Sequence, residues 1–234
     1  MPRRKGPPSS SATSPRCATT RRRSTSPTRR RNGPTTRNEL IRATGEVVAI
    51  AGAAPPQTAL SLDLLGSYSD PEPADAIADP RRDYQAQYAA LRTSGDYRNR
   101  VYGRIATDRE GSQWLQYWFF YFYNDAGFLG FGAHEGDGEM IQLRLGGGGE
   151  PDVAVYAQHS QADARPWSKV ERDPGSKARP VVYSARGSHA SYFEPGLHWA
   201  TVWFDHADGK GFSREMALET LRDGQPPWIQ WPGR

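Results

Sequence analysis

The sequence of 234 residues lacks most of the features that stabilise small secreted or membrane-embedded proteins. It contains one cysteine, Cys17, which excludes an intrachain disulfide and a cysteine-based zinc site. No run of about 18 apolar residues occurs, so no segment is predicted to span a membrane as a helix. Hydrophobic residues make up 36% of the chain. That share is low for a globular protein but sufficient for one folded core.

Acidic residues are absent from the first 38 positions, which hold eleven Lys and Arg residues. Residues 39–234 hold 19 basic and 26 acidic residues, so this part carries a net charge of −7 although the whole chain is at +4. A basic tail is therefore joined to an acidic body. The overall positive charge does not mark the folded part as a nucleic-acid binder.

The tail, residues 1–45, is rich in Ser, Thr, Pro and Arg and has almost no aliphatic side chain before Leu40. Such a segment buries too little apolar surface to offset its ordering entropy, and it is predicted to be disordered. Its arginine blocks at 21–23 and 29–31 are candidate contacts for a polyanion, either nucleic acid or anionic membrane. The alternatives are a solvated tail or translated sequence upstream of the true start.

Residues 46–78 are predicted to be a linker. An apolar stretch at 47–54 follows the arginines, but it is short, and Glu39 and Glu46 lie where a signal peptide avoids acids. No signal peptide is predicted, and a cytoplasmic location is the default expectation.

A helix is predicted over residues 80–93. Asp79 is a suitable N-cap, and Pro80 fits the first helical position. Tyr84 and Tyr88 then follow at helical spacing.

The remainder of the chain has the pattern of short strands. Residues 101–105 and 114–123 predict a hairpin, and eight of the ten residues in 114–123 are aromatic. A second short helix is predicted at 213–222. The expected fold is mainly β, an antiparallel β-sandwich over residues 79–234 with one or two short helices and a disordered basic N-terminal tail. Further strands are predicted at 140–145, 153–158, 180–185 and 199–204.

Two carboxylates are predicted to point into the core. Asp137 and Glu139 share strand parity with three apolar residues, Ile141, Leu143 and Leu145. Inward charges are costly unless they are paired or bound to a cation. His134 precedes them and Asp125 ends the partner strand, so the four residues predict a site for a divalent cation such as Mg²⁺ or Ca²⁺. The alternative is a hydrogen-bonded polar rim without metal.

A second polar cluster is predicted at strand ends. His159 ends the apolar face of strand 153–158, and the segment 186–193 is dense in hydroxyl groups. His159 and His189 are the candidate general bases. Because no nucleophile–base pair stands out, binding is favoured over catalysis. The candidate binding residues are Ser188, His189, Tyr192 and His198.

Four ordered motifs resemble the vacuolar protein sorting-associated protein 62 family. The resemblance covers about residues 98–234, and the family name implies a role in trafficking. The sequence departs from the family pattern at Gly138, where relatives usually carry Trp next to the proposed ligands. The motifs lie at 114–121, 134–139, 156–159 and 187–193.

A shorter pattern is similar to the necrosis- and ethylene-inducing cytolysins. Their His-x-x-Asp-x-Glu signature falls on His134, Asp137 and Glu139, with Asp125 as the upstream acid. The resemblance implies a divalent cation bound on a β-sandwich, and a membrane sphingolipid as target.

Three functions remain open from the sequence. The first is a metal-stabilised binding module that recognises a lipid head group or a glycan, with Trp199 and Trp203 among the aromatics that supply contacts. The second is a metal-dependent hydrolase. The third is an adaptor that uses its basic tail to bind nucleic acid or anionic membrane.

Overall fold

The computed structural model describes residues 16–19, 39–50, 72–78, 100–125, 133–200, 203–210 and 213–222. The helix predicted over 80–93 lies outside these residues. Within the described ranges, regular structure is almost entirely strand, which confirms the predicted β class. A single turn of 3₁₀ helix spans Trp167–Lys169. No helix in the described ranges is long and apolar enough to cross a membrane.

The strands are numbered in chain order. They are β1 (Arg16–Thr19), β2 (Glu39–Ile41), β3 (Val47–Ile50), β4 (Ala76–Ala78), β5 (Arg100–Thr107), β6 (Gln113–Asn124), β7 (His134–Leu145), β8 (Pro151–Gln158), β9 (Gln161–Pro166), β10 (Val181–Ser184), β11 (Ser191–Tyr192), β12 (Gly196–Ala200), β13 (Trp203–Ala207), β14 (Ser213–Glu215) and β15 (Ala217–Thr220).

The largest sheet has six strands in the order β15-β5-β6-β7-β8-β9. Strands β5 to β9 form an antiparallel meander, which contains the predicted hairpin as β5 and β6 and ends in β9, a strand that the sequence did not predict. The outermost strand β15 instead runs parallel to β5. A second sheet has the order β11-β10-β1-β14, in which β1 is parallel to β10 and antiparallel to β14.

The core lies where the inner face of the six-stranded sheet meets residues of the second sheet. Alternation along β6 buries Tyr117, Phe119 and Tyr121. Val182 of β10 and Phe193 after β11 pack into the same cluster. The Phe193 ring stacks on the ring of Tyr156 from β8, with 3.7 Å between their centroids. Facing aromatic side chains of both sheets thus form the interior of a sandwich.

The other face of β6 is open. Trp118 and Phe120 are exposed there, and Phe120 lies over Gly136 of β7, close to where a Cβ atom would stand. The Phe120 ring therefore covers the backbone of Gly136, which has no side chain to cover it. The neighbouring Gly138 is exposed, and a Cβ atom at this position would meet no atom within 4 Å.

The predicted helix at 213–222 is wrong, because this segment forms β14 and β15. Met216 is buried and Leu218 is partly buried against the core, which is the period of two expected for a strand. Arg100 of β5 also pairs with Glu219 at 2.9 Å. Pairing with β5 therefore overrides the local helical preference.

The predicted strand over 199–204 is also wrong as a single element, because the chain reverses within it. Strands β12 and β13 pair as an antiparallel hairpin, with Trp199 opposite Phe204. The two rings meet edge to face, with centroids 4.7 Å apart. The aromatic residues that suggested one continuous strand are thus cross-strand neighbours.

Four short strands lie inside the segments that the sequence assigns to the tail and linker. Strands β2, β3 and β4 form a three-stranded sheet in the order β3-β2-β4. Within it, Arg42 pairs at 3.0 Å with the fully buried Asp75. Strand β1 belongs to the second sheet. Those positions are therefore not unstructured, while the division of the chain into tail, linker and sandwich domain stays a prediction.

Candidate functional site

The two carboxylates of β7 point into the sandwich, as strand parity predicts. Asp137 and Glu139 are each only 7% exposed, and they lie in line with the buried Ile141 and Leu143. Their cross-strand partners in β6 are Tyr121 and Phe119, which are also buried. The side chains of two acids therefore enter an aromatic core.

His189 is the partner of Asp137. The distance from its Nδ1 atom to Asp137 Oδ2 is 2.8 Å, and its ring stacks on that of Tyr121 with 4.0 Å between centroids. His189 is only 1% exposed and adopts a left-handed backbone conformation with φ 59°. Its carbonyl accepts a hydrogen bond from Ser184 Oγ at 3.1 Å. A residue in this strained conformation is held there by its surroundings.

His134 and Asp125 lie at the edge of the site. His134 Nε2 is 3.9 Å from the second Asp137 oxygen, Oδ1, and the side chain is half exposed. Asp125 follows β6, and its backbone N–H donates to the Gly187 carbonyl at 3.3 Å. Over the described ranges, no three His, Cys, Asp or Glu side chains are arranged to hold a metal ion. The predicted set is therefore brought to one end of the sandwich without converging on a point.

Glu139 is electrostatically unfavourable as an anion. Burial raises its pKa to about 9, and repulsion from Asp137 and Asp205 acts in the same direction. At neutral pH the carboxyl group therefore holds its proton. Asp205 comes from β13, so a third carboxylate approaches this end of the sandwich.

Asp205 is the residue that the sequence analysis missed. It is buried, and its two oxygens accept three hydrogen bonds: from Tyr192 OH at 2.7 Å, from Ser188 Oγ at 2.8 Å and from the ring of His159, with Nε2 at 2.8 Å. Burial acts to raise the pKa of Asp205, but the bonds from His159, Tyr192 and Ser188 outweigh it and hold the pKa below its usual value.

The pKa values of two partners of Asp205 are shifted upward, opposite to that of Asp205 itself. The hydrogen bond to Asp205 raises the pKa of His159 despite partial burial of the ring. Burial, reinforced by Asp205, raises the pKa of Tyr192 well above its usual range. Asp205 is therefore the ionised centre around which neutral and cationic donors are arranged.

Strand parity could have found Asp205. In β13 it shares a face with the buried Ala207, whereas Phe204 and His206 are exposed. The alternation that predicts an inward Asp137 in β7 also predicts an inward Asp205 in β13. The misassigned strand at 199–204 ended just before this aspartate, and so concealed it.

A cleft of about 130 Å³ opens beside the Asp205 cluster. The predicted binding residues Tyr192 and His198 line it, and their rings stack with 3.9 Å between centroids. Ser188 and His189 are buried and are not among its described lining residues. The remaining lining residues are Gln158, His159, Gln161, Asp163, Trp199 and Ala200.

No family model and no curated protein matches the chain, so the resemblance to the vacuolar protein sorting-associated protein 62 family is unsupported. Solved structures similar to it include NLPPya in complex with glucosamine, at 14% identity and a TM-score of 0.35, over 52% of this chain and 50% of that chain. A second is necrosis and ethylene inducing protein 2 from the causal agent of cocoa's witches' broom disease, at 16% identity and a TM-score of 0.33, over 51% of this chain and 50% of that chain.

A third is the non-toxic HaNLP3 protein, at 12% identity and a TM-score of 0.34, over 54% of both chains. The chain spans about half the length of each of these structures. The similar structures are thus proteins of the necrosis- and ethylene-inducing group, the second resemblance found in the sequence. At such scores the likeness does not extend to ligand or activity.

Proposed function

We propose that this protein is a binding module whose cleft between the β8–β9 turn and β12 recognises a glycan. The observation that carries the proposal is the composition of the cleft. Trp199 lines it and is 63% exposed, while its other described lining residues are mostly polar. An exposed indole beside fixed polar groups is an arrangement suited to a ligand that is apolar on one face and hydroxylated at its edge.

The polar groups of the cleft can satisfy sugar hydroxyls. Gln161 and Asp163 lie on β9, and His198 faces them from β12. Carboxylate and amide oxygens accept hydrogen bonds, while amide and imidazole N–H groups donate them. Tyr192 and His159 are already fixed by Asp205, so the cleft is largely organised before a ligand arrives.

We further propose that Asp137 and Glu139, with His134 and Asp125 at the edge, hold a divalent cation. The oxygen-rich donor set suits Mg²⁺ or Ca²⁺. Bound there, the ion would neutralise the Asp137 carboxylate and displace the proton that Glu139 otherwise holds at neutral pH. Within the described ranges no hydrogen bond reaches the Glu139 carboxyl group. His134 would have to move inward to complete the set, because its Nε2 is 3.9 Å from Asp137.

Binding is favoured over hydrolysis by the position of the candidate bases. His189 is buried at 1% exposure and cannot reach a substrate. His159 borders the cleft, but Asp205 engages its Nε2 atom at 2.8 Å, so this nitrogen is not available to take a proton from a bound water.

Calorimetric titration with N-acetylglucosamine and with a panel of other neutral sugars tests the glycan proposal. Trp199→Ala should weaken binding by about threefold to tenfold, the loss of one aromatic contact of about 0.5–1.5 kcal/mol. The matched control is Trp118→Ala, which removes an exposed indole from the outer face of β6 and should leave affinity unchanged. Equal affinities for both variants, or no binding of any sugar, would refute the proposal. Vesicles carrying the same sugar on a lipid show whether the ligand is membrane-bound.

A further inference from the structure

The turn between β8 and β9 is built around a histidine where glycine is usual. Gln158 pairs with Gln161, so His159 and Ser160 form a two-residue hairpin turn. His159 has φ 53°, a left-handed conformation that favours glycine in such turns. Because this conformation is unfavourable for a histidine, contacts of the side chain must compensate.

The side chain of His159 makes its contact across the cleft. Its Nε2 atom lies 2.8 Å from Asp205 Oδ2, and Asp205 belongs to β13. Strands β12 and β13 form a two-stranded sheet that pairs with no other strand in the described ranges. The hairpin is therefore held by the backbone N–H of Arg186, which donates to the His206 carbonyl at 3.0 Å, by packing of the buried Ala207 and by side-chain bonds. Asp205 receives three of these side-chain bonds, from His159, Ser188 and Tyr192.

The two walls of the cleft are the two elements that this bond joins. His159 and Gln161 lie on the side of the six-stranded sheet, whereas His198 and Trp199 lie on the hairpin. If the bond from His159 were lost, Asp205 would keep only its bonds from Ser188 and Tyr192.

The surroundings of His159 favour its charged form. Asp205 and Asp137 stabilise the imidazolium. Asp163 of β9, Tyr192 of β11 and His198 of β12 line the same cleft, and no Lys or Arg is among its described lining residues. Glu139 is protonated at neutral pH, so it adds no charge. A charged histidine donates a stronger hydrogen bond to a carboxylate than a neutral one does.

We propose that the His159–Asp205 pair is a pH-dependent latch, which holds the cleft walls together when His159 is protonated and loosens them when it loses its proton. As a control on ligand affinity, the latch rests on the proposed function of the cleft. As a conformational device, it can be measured without any ligand.

Hydrogen exchange of the ligand-free protein at pH 5.5 and pH 8.5 tests the latch. After division by the intrinsic exchange rates, the amides of residues 159–161 and of β13 should exchange about fivefold faster at the higher pH relative to the amides of β6, because a charge-assisted hydrogen bond is roughly twice as strong as a neutral one. In His159→Gln, which keeps a neutral N–H donor, these corrected rates divided by those of the β6 amides should be equal at the two pH values, because the effect of Glu139 on global stability is common to both sets. In the control His206→Gln, which changes the exposed histidine of the same hairpin, they should behave as in the wild type.

A measurement without variants guards against a folding defect in His159→Gln. The NMR titrations of the His159 ring and of the Trp199 indole N–H should share one midpoint. Corrected exchange that is independent of pH, or an indole that does not follow His159, would overturn the latch.

Titration with neutral N-acetylglucosamine then separates the two proposals. If the latch controls the cleft, affinity falls between pH 5.5 and 8.5 in the wild type and stays level in His159→Gln. If exchange follows the expected pattern but the sugar does not bind at either pH, the latch stands and the glycan proposal fails.

Discussion

His189 and Asp137 join the two sheets of the sandwich through one buried hydrogen bond, with 2.8 Å between Nδ1 and Oδ2. Asp137 belongs to β7 in the six-stranded sheet, whereas His189 precedes β11 in the second sheet. The bond occupies one carboxylate oxygen and leaves Oδ1 directed towards His134. It also fixes the orientation of the imidazole ring against Tyr121.

Replacing His189 with Ala should destabilise the protein strongly. The change removes the partner of a buried carboxylate and a stacked ring, and it should lower the free energy of unfolding by about 3–5 kcal/mol. Urea unfolding at pH 7 measures the loss. The control His206→Ala, at an exposed position, should change it by less than about 0.5 kcal/mol. Similar values for the two variants would mean that the Asp137–His189 bond contributes little.

Glu139 should make stability depend on pH. Its pKa in the folded protein is raised from 4.5 to about 9, so its contribution is fully present below pH 4.5 and is lost as the pH rises towards 9. Across this window the loss approaches about 1.4 kcal/mol per pH unit.

Urea unfolding in chelator at pH 5, 7 and 9 should show this decline in the wild type and a flatter profile in Glu139→Gln. Glu150→Gln, which alters an exposed glutamate, is the control and should follow the wild type. Parallel profiles for wild type and Glu139→Gln would contradict the assignment.

A divalent cation should raise the melting temperature if the proposed site exists. Binding to the folded state alone stabilises it by about 2.7 kcal/mol when the free ion is at 100 times its Kd. The difference in melting temperature between Ca²⁺ or Mg²⁺ and chelator should be largest in the wild type and should shrink in Asp137→Asn. Asp152→Asn changes a surface ion pair with Arg144 and should keep the full difference. Identical melting curves in metal and chelator would remove the cation from the proposal.

The basic tail should bind polyanions in a salt-dependent manner. Strand β1 lies within residues 1–38, so deletion of that segment would also remove a strand of the second sheet. Substituting serine for the arginines at 21–23 and 29–31 tests the charges alone. The log Kd for heparin should rise linearly with the log of the salt concentration. Binding should be largely lost in the variant. Binding that survives the substitutions would place the contact outside the two arginine blocks.

The sequence predicts the strands β5 to β8 and the inward acids because both depend on local alternation. Tyr121, Asp137 and Glu139 all face inward for this reason. The second sheet could not be predicted, because its paired strands β1 and β14 lie far apart in the chain. The partnership of Asp137 with His189 likewise depends on how the two sheets pack. Asp205 was hidden by an error in one strand boundary rather than by any lack of pattern.

The two parallel pairings, β1 with β10 and β15 with β5, have a consequence for the folding rate. No tight turn can close a parallel pair, so each ladder must wait for a long loop to close, at an entropic cost that grows with loop length. The connections within the meander β5–β8 are all nine residues or shorter, so the meander can assemble first. During refolding its inner aromatic face and the free edge of β5 are then exposed until the distant strands arrive. Folding should therefore be slow, on the scale of milliseconds to seconds, and aggregation should compete with it at high protein concentration.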